Sequence, residues 1–391
     1  MEIKDIRARK ILNSNSAFTA EVIIKTDKGV FRGSSPRGTS NSKYEITDTA
    51  SGLSDLLKKF NDHLNGLKAK RLGYKEDIFD IERALDEKFI GGPSIALSYA
   101  LVYALSADLS IQPHMLFGGN GRPLPLCKML GGGLHSYSLG MDIQELLVTT
   151  LNDSIDESLR GTLEVYNNVK ALLKEDSTRF FGGVDLEGGF ATRLGNYDAL
   201  KLLKKAIDRA ISKTELDIRM GMDIAASTFF KDGKYHYRYP LGDKNEVTRE
   251  EQTELMERLV DEFDVYIMED PVDQDFKDGY AKIKKATKAI VVGDDITSTR
   301  TDRLELAHDA LGGTLIKPNQ VGLLYKMEEY SELADRYGIT KIVSHRSEET
   351  NSPIIADIGV GINAKYLKIG INRGERTEKL NRLMELYSDG V

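Results

Sequence analysis

Cysteine is nearly absent from the sequence, since Cys127 is the single one among 391 residues. A disulfide needs two cysteines, so none can form within the chain, which is typical of proteins in a reducing cytoplasm. An excess of positive charge is also lacking, since 61 aspartates and glutamates outnumber 54 lysines and arginines and give a net charge of −7. This balance argues against nucleic acid as the main partner, although an acidic protein can still hold a small anion in a basic pocket. We therefore predict a cytoplasmic protein with a small-molecule substrate.

Neither the first residues nor any internal stretch has the pattern expected of a secretory leader or a membrane span. The first ten residues, MEIKDIRARK, are charged from the second onward, unlike a signal peptide. The nearest approach to a membrane span is the uncharged stretch 89–107, which contains Gly91, Gly92 and Pro93. These residues favour a buried helix, so we expect no membrane span.

The first third of the chain has the pattern of a small α+β domain. Two β-rich runs, Thr19 to Lys25 and Val30 to Ser34, are joined by TDKG, which is typical of a hairpin. Strands followed by helices favour the α+β class. The helical patterns cover 43–64, 78–89 and 94–109.

A glycine- and proline-rich stretch, GGNGRPLPL at 118–126, precedes a longer region in which strands and helices alternate. The strand patterns are IRMGM, VYIM, IVVG, TLI, KIVS and KYLKIG. Repeated βα units favour a closed barrel, although the beginning of this region is less regular. We therefore predict an α/β fold with an N-terminal α+β capping domain over 1–120 and a (β/α)8-type catalytic barrel over 121–391.

Six successive strand patterns end in, or carry, an ionisable residue. In a parallel barrel these strand ends lie on one face, where the active sites of such barrels are found. A single Asp after a strand commonly caps the next helix, and a single Lys commonly reaches solvent. Six ionisable residues at successive strand ends, of which the first three are carboxylates, are hard to explain as helix caps or solvent-exposed side chains. The residues are Asp223, Glu269, Asp294, Lys317, His345 followed by Arg346, and Lys368.

Three carboxylates without histidine or cysteine make an all-oxygen ligand set. Such a set selects a hard divalent ion, Mg²⁺ first and Mn²⁺ next, over zinc. Beside a cation the charged form of Lys317 is destabilised, which would lower its pKa and let it act as a base. Metal and lysine together suit removal of a proton from a carbon next to a carboxylate.

Further candidates lie in glycine-rich loops. GGVDLEGG at 182–189 contains Glu187, which could protonate a leaving group, and Gln144 and Glu145 follow a strand-like MDI. His135 lies in GGGLHSYS. Each signal is weak alone, because glycine-rich loops are commonly only turns and a lone histidine is commonly structural.

Arg346 and Ser347 stand where a strand gives way to a helical pattern. A helix N-terminus with these side chains indicates an anion pocket. The alternative is a helix cap in which the following EET suits the helix dipole. Arg373 and Arg376 either add positive charge here or form surface ion pairs.

Together these segments resemble the motifs of the enolase family, in the same order. The matching segments are GMDIAAS (221–227), FFKDGKY (229–235), MEDP (268–271), GDDIT (293–297), LIKPNQVG (315–322) and VSHRSEET (343–350). The resemblance covers nearly the whole chain and is most specific in its C-terminal two thirds. It implies a Mg²⁺-dependent carbon–oxygen lyase that interconverts 2-phosphoglycerate and phosphoenolpyruvate in glycolysis and gluconeogenesis.

The resemblance also implies roles in the chemistry. Lys317 would remove the proton from C2 of the substrate. Glu187 would protonate the departing C3 hydroxyl, and Glu145 would support it. The implied metal ligands are Asp223, Glu269 and Asp294.

Other positions are implied to bind the substrate. Lys368 would hold the carboxylate together with the metal, and Arg346 and Ser347 would hold the phosphate. The remaining substrate-site positions are Gln144, His135 and His345.

Two segments depart from the family pattern, and one of them lies next to the implied phosphate pocket. The family has DSRGNPT where this chain has NSNSAFT at 13–19, so Asn15 replaces an arginine. The family has SGET where this chain has SEET, so Glu348 replaces a glycine.

The loop that closes over the substrate is also rewritten, from SGASTG in the family to RGTSNS at 37–42. Ser40 stands at the position whose serine binds a second Mg²⁺. Arg37 adds a positive charge, and Ser42 replaces a glycine and so restricts the backbone. We expect a lid that still offers Ser40 but closes differently.

Two other functions stay open. The altered loop and Glu348 are consistent with a lyase of the same superfamily that acts on another 2-hydroxy acid. A non-catalytic paralogue is less favoured, because no implied catalytic residue has been lost. Since the family assembles as dimers or rings of dimers, we expect a homodimer or a higher homo-oligomer.

Overall fold

The computed structural model describes residues 1–39, 42–46, 52–175 and 179–388. Its N-terminal part begins with an antiparallel sheet in which the second strand is central. The strands are β1 (Asp5–Leu12), β2 (Phe18–Thr26) and β3 (Gly29–Ser34). The helices that follow are α1 (Leu53–Leu64), α2 (Lys75–Arg83) and α3 (Gly92–Leu109). The predicted hairpin and α+β class are confirmed.

The first helix is shorter than the predicted helix over 43–64. Helix α1 begins at Leu53, directly after Gly52, whose φ of 82° is left-handed and cannot continue a right-handed helix. Helix α3 contains most of the uncharged stretch 89–107 and is buried along most of its length. In the part of the chain that the structure describes, no helix is long and apolar enough to cross a membrane.

The C-terminal part is an eight-stranded barrel with helices around it. Its strands and accessory strands are β4 (Leu124–Gly131), β5 (Glu145–Leu151), β6 (Phe190–Ala191), β7 (Asp217–Asp223), β8 (Phe230–Lys231), β9 (Lys234–His236), β10 (Glu246–Val247), β11 (Val265–Glu269), β12 (Ile290–Gly293), β13 (Gly313–Ile316), β14 (Thr340–Ser344) and β15 (Tyr366–Gly370). Its helices are α4 (Ile155–Lys174), α5 (Asn196–Thr214), α6 (Arg249–Phe263), α7 (Lys277–Ala286), α8 (Thr301–Ala307), α9 (Leu324–Arg336), α10 (Ile354–Gly361) and α11 (Gly374–Ser388). The predicted (β/α)8-type barrel with a smaller N-terminal domain is confirmed.

The irregular beginning of the barrel is a reversed strand. Strand β5 is antiparallel to both β4 and β7, whereas β15 pairs with β4 in parallel to close the barrel. Because β5 is reversed, its first residue lies at the edge where the neighbouring strands end. Glu145 is paired in register with Gly131 at the end of β4 and with Asp223 at the end of β7.

The barrel interior is filled by one apolar layer. The members of this layer are fully buried, so the barrel is a packed core with no open channel. They are Leu126, Leu147, Ile267, Val292, Leu315, Ile342 and Tyr366. Among the described residues, this layer closes the barrel interior, so a ligand inside the barrel would bind at one of its ends.

A buried carboxylate joins the two parts of the molecule. Glu82 of α2 accepts hydrogen bonds at 2.9 Å from the backbone N–H groups of Leu324 and Tyr325 at the beginning of α9. Burial raises the pKa of Glu82 to about 7, although these bonds and the Ser98 hydroxyl oppose that shift.

Candidate active site

The residues predicted at the strand ends form a second layer directly above the apolar one. Inward-facing side chains of a strand are two residues apart, and Glu269, Lys317 and Lys368 each follow a residue of the apolar layer by two positions. In the reversed strand β5, Glu145 instead precedes Leu147. We call this set the ionisable layer: Lys128, Glu145, Asp223, Glu269, Asp294, Lys317 and Lys368.

A narrow cavity opens on this layer, with about 20 Å³ of free space. That volume has room for about one water molecule. The rim must therefore move before an organic ligand can enter. The lining residues are Gly38, His135, Gln144, Glu145, Glu187, Asp223, Lys317, Ser344, His345, Arg346, Ser347 and Lys368.

Lys368 is the central cation of the layer. Its Nζ donates to Asp223 Oδ2 at 2.9 Å and to Glu269 Oε2 at 2.7 Å, and lies 3.3 Å from Glu145 Oε1. Burial disfavours the ammonium, but these carboxylates outweigh it and raise the pKa of Lys368 well above its usual value. Gln144 also donates to Asp223, at 3.4 Å.

Lys317 pairs with the third predicted metal ligand. Its Nζ lies 2.5 Å from Asp294 Oδ2, and Gln320 donates to Asp294 Oδ1 at 3.0 Å. Burial opposes the ammonium, yet Asp294 raises the pKa of Lys317 above its usual value. The expected lowering of this pKa depended on a neighbouring cation, whereas the nearest charge in the structure is a carboxylate.

The predicted metal ligands are close together but do not form the tightest acidic cluster. Among the described residues, two trios bring one ligand atom each within 4.8 Å of one another: His135, Glu145 and Glu187, and Asp270, Asp294 and Asp295. The predicted trio is neither of these, because Lys368 stands between the Asp223 and Glu269 carboxylates and Lys317 holds Asp294.

The donor set nevertheless fits a hard divalent ion. Glu269 is buried, and its Oε1 has no hydrogen-bond partner among the described residues. Burial and the neighbouring Asp223 raise the pKa of Glu269 well above its usual range. A divalent cation bound here would offset the repulsion between the Glu269 and Asp223 carboxylates. It would also give the Glu269 Oε1 atom a partner.

Glu187 reaches the opposite side of the cavity from a short loop. Its Oε2 lies 3.1 Å from Lys128 Nζ, 3.2 Å from His135 Nδ1 and 3.7 Å from His345 Nε2. Burial would raise its pKa, but these groups outweigh it and hold the pKa of Glu187 well below its usual range. Burial raises the pKa of Glu145, helped by Glu187, to about 8.

Arg346 and Ser347 meet the loop that begins at residue 37. Arg346 donates to Glu45 Oε2 at 3.0 Å and to Asn319 Oδ1 at 3.2 Å. Ser347 Oγ accepts from the backbone N–H of Thr39 at 2.8 Å. The two side chains predicted to bind an anion are thus already engaged by the chain itself. Ser40, the predicted lid serine, lies outside the described residues.

The two departures near this pocket contact each other. Asn15 Nδ2 donates to Glu348 Oε1 at 3.1 Å, and Asn13 Nδ2 donates to Glu348 Oε2 at 2.9 Å. Backbone bonds at 2.9 Å in both directions join Glu348 to Arg37 of the loop. The residues that differ from the family pattern at 13–15 and at 348 are therefore hydrogen-bonded to each other, although they are far apart in the sequence.

Arg376 hydrogen-bonds to the backbone of the same pocket and does not lie at the surface. It is fully buried on α11 and donates to the carbonyls of Arg346 at 3.2 Å and Ser347 at 3.0 Å. Arg373 instead donates to the carbonyls of Asp185 and Leu186, at 3.1 and 2.9 Å, in the loop that carries Glu187.

Sequence reasoning missed several site residues, of which Lys128 and Glu45 matter most for the chemistry. The signal for Lys128 was a lysine in the apolar strand LPLCKMLG, two residues after Leu126. Glu45 had no local signal, because its contact with Arg346 spans 301 positions of the chain.

Comparisons with known proteins agree with this geometry. A family model described as "Enolase, C-terminal TIM barrel domain" matches residues 121–389. Enolase from Pyrobaculum aerophilum is 32% identical, over 99% of this chain and 96% of that protein. Enolase from Halorubrum lacusprofundi is also 32% identical, over 100% of this chain and 99% of its own length. The match extends across both parts of the molecule, and the chain belongs to the enolase family.

Proposed function

We propose that this protein catalyses the reversible dehydration of 2-phosphoglycerate to phosphoenolpyruvate, as a Mg²⁺-dependent lyase of glycolysis and gluconeogenesis. The observation that carries the proposal is the cavity on the ionisable layer. It is lined by Arg346 and Ser347 together with four members of that layer, Glu145, Asp223, Lys317 and Lys368. Glu269 and Asp294 belong to the same layer, in contact with Lys368 and Lys317 respectively. Together these residues offer carboxylates, lysines and anion-binding side chains that would support this reaction. Membership of the enolase family supports the same reaction.

Asp223, Glu269 and Asp294 would hold the Mg²⁺. When bound, the ion offsets the negative charge that the substrate carboxylate gains as C2 loses its proton. Lys368, which already contacts Asp223 and Glu269, would bind the same carboxylate.

Two side chains would move the protons. Lys317 Nζ would take the proton from C2, and Glu187 would give a proton to the C3 hydroxyl, which leaves as water. The carbon–oxygen bond breaks as the C2–C3 double bond forms, and the reverse steps hydrate the product. Glu145 has a pKa of about 8, so it carries a proton at neutral pH and would support Glu187.

The phosphate would bind Arg346 and Ser347 after Glu45 has moved, because the guanidinium is occupied in this structure. The cavity has room for about one water molecule, which supports a loop movement before the substrate enters. The remaining proposed substrate-site residues are His135, Gln144, His345 and Ser40.

The test is turnover of 2-phosphoglycerate by purified protein with Mg²⁺, followed as formation of phosphoenolpyruvate. Replacing Lys317 by methionine should lower kcat by at least about 100-fold, the usual contribution of one acid–base group. A matched control is Lys341→Met, because Lys341 is also buried and paired, 2.7 Å from Asp335 on α9. No turnover above the Lys317→Met background would contradict the proposal.

Another 2-hydroxy acid as substrate is the second candidate, favoured by the Asn15–Glu348 contact beside the anion pocket. A substrate panel separates the two, since a higher kcat/KM on a different acid would favour it. A non-catalytic paralogue would show no turnover on any acid. We further propose a cytoplasmic homodimer or larger homo-oligomer, which light scattering of the purified protein would check.

A further inference from the structure

Lys128 is a fully buried lysine of the ionisable layer to which the proposed function assigns no role. An ammonium has three N–H donors and no acceptor, and three acceptor atoms surround this one. They lie at 2.7 Å (Asp185 Oδ2), 2.9 Å (His135 Nδ1) and 3.1 Å (Glu187 Oε2). Because the ammonium can only donate, His135 Nδ1 must accept, so His135 is neutral here.

The loop that contains Asp185 and Glu187 packs closely around the Lys128 side chain. Asp185 Oδ1 accepts from the backbone N–H groups of Glu187 at 2.9 Å and Gly189 at 3.0 Å, which fixes the turn that carries Glu187. A Cβ on Gly189 would lie 2.9 Å from Lys128 Cγ, and a Cβ on Gly131 would overlap the Asp185 carboxylate. Both glycines are needed for this close approach.

We propose that Lys128 is a positioning residue for Glu187: anchored on Asp185, its ammonium holds Glu187 at the cavity in the ionised form. This inference rests on the proposed function, in which Glu187 exchanges the proton of the C3 hydroxyl. Dehydration begins with Glu187 protonated, a form that the Lys128 charge disfavours. Hydration begins with Glu187 ionised, the form that Lys128 stabilises.

The two histidines, which lower the pKa of Glu187 when they are protonated, do not supply this charge at neutral pH. Burial lowers the pKa of both His135 and His345, so both are neutral at pH 7. Asp185 is acidic and would oppose ionisation, and Glu145, with a pKa of about 8, carries a proton at neutral pH and adds no positive charge. Lys368 is a cation, but its Nζ contacts Glu145, Asp223 and Glu269. Among the described residues, the ionisable side chains in contact with Glu187 therefore include one cation, Lys128.

The direct test is a ¹³C NMR titration of unliganded protein labelled at glutamate carboxyl carbons, with Glu187→Gln to assign the signal. Lys128→Met should move the Glu187 titration midpoint up by about 1–3 pH units, the usual effect of an adjacent opposite charge. An unchanged midpoint would overturn the inference. The titration needs no turnover, so its failure is distinct from failure of the proposed function.

A second pair of variants keeps the test valid if Lys128→Met does not fold with Asp185 left unpaired. Asp185→Asn and Asp185→Asn/Lys128→Met differ only in the lysine, and the double variant leaves no unpaired Asp185 charge. The midpoint should again be higher without the lysine, and equal midpoints would overturn the inference. Lys341→Met, a buried lysine remote from Glu187, should leave it unchanged.

The kinetic readout is the acid limb of the pH profile. Turnover needs one proton shared between Glu187 and Lys317, so activity is lost when both are protonated. Raising the pKa of Glu187 should move the acid limb of kcat/KM up by the same amount in both reaction directions. A merely structural role would lower kcat/KM at every pH and leave the limb in place, which would contradict the inference.

Discussion

Arg346 and Glu45 form a buried, two-pronged ion pair in the proposed phosphate pocket. The guanidinium donates to the two carboxylate oxygens at 3.0 and 3.2 Å, and the side chains are 5% and 4% exposed. Glu45 thus occupies an anion position on the residue that is proposed to bind the substrate phosphate. The pair therefore connects the segment of residues 42–46, which carries Glu45, directly to the pocket.

Replacing Glu45 by glutamine should strengthen phosphate binding. The Glu45 carboxylate competes with phosphate for the Arg346 guanidinium and would also repel it. Two like charges about 4 Å apart repel each other by about 1 kcal/mol or more. We expect the Kd for inorganic phosphate, measured by calorimetry with Mg²⁺, to fall by about fivefold or more. Glu328→Gln, whose partner is Lys75, is the control. Weaker binding would show that Glu45 mainly orients Arg346.

An alanine at position 38 should disturb the same loop. A Cβ on Gly38 would overlap the guanidinium of Arg346, so the loop could not keep its present contact. We expect kcat/KM for 2-phosphoglycerate to fall by about 10–100-fold, as small displacements in active sites commonly do. The control is Gly66→Ala, because a Cβ there meets nothing within 4 Å. Equal effects of the two variants would contradict this explanation.

Replacing Glu269 by glutamine should weaken metal binding. The variant keeps the shape of the side chain but removes one anionic ligand, and the charge of the ligand set tunes the affinity for hard cations. We expect the Kd for Mg²⁺, measured by calorimetry without substrate, to rise by about tenfold or more. Glu254→Gln on the exposed face of α6 should bind like the unmodified protein. Unchanged affinity would remove Glu269 from the proposed ligands.

Asn15 and Glu348 should be energetically coupled. Their contact joins two segments 333 positions apart, and contacting residues commonly show interaction energies of about 0.5–3 kcal/mol. A double-mutant cycle with Asn15→Ala and Glu348→Ala should give a coupling of about 1 kcal/mol in the free energy of unfolding by urea. Additive effects would mean that the two replacements are independent.

Glu82 should make the stability of the protein depend on pH. Its pKa is raised from 4.5 to about 7 in the folded state, so the stabilisation is complete below about pH 4.5 and is lost as pH rises through about 7. Relative to Glu82→Gln, the free energy of unfolding should fall by about 3 kcal/mol across that range, because a tenfold change in proton affinity corresponds to about 1.36 kcal/mol. Urea titrations at several pH values measure it, and parallel curves for the two proteins would contradict it.

Local sequence pattern was sufficient for the strand ends that form the site. Residues such as Glu269 and Lys317 end short β-rich runs between helical patterns, and parallel strands in a barrel bring their ends together. The side-chain period of two then orients these residues inward, in the layer above the apolar core. The resemblance to enolase rested on the same residues, so the family and the fold class could both be predicted.

The tertiary structure decided what the local pattern does not encode. Alternation of side chains is the same for either strand direction, so the reversal of β5 that brings Glu145 to the site was not visible. A lysine in an apolar strand shows no partner until a loop from residues 185–189 packs against it, as happens at Lys128. The contacts of Arg346 with Glu45 and of Asn15 with Glu348 join segments more than 300 positions apart. The sequence thus determined which chemical groups stand at the end of the barrel, whereas distances and burial in the folded chain determined their partners and proton affinities.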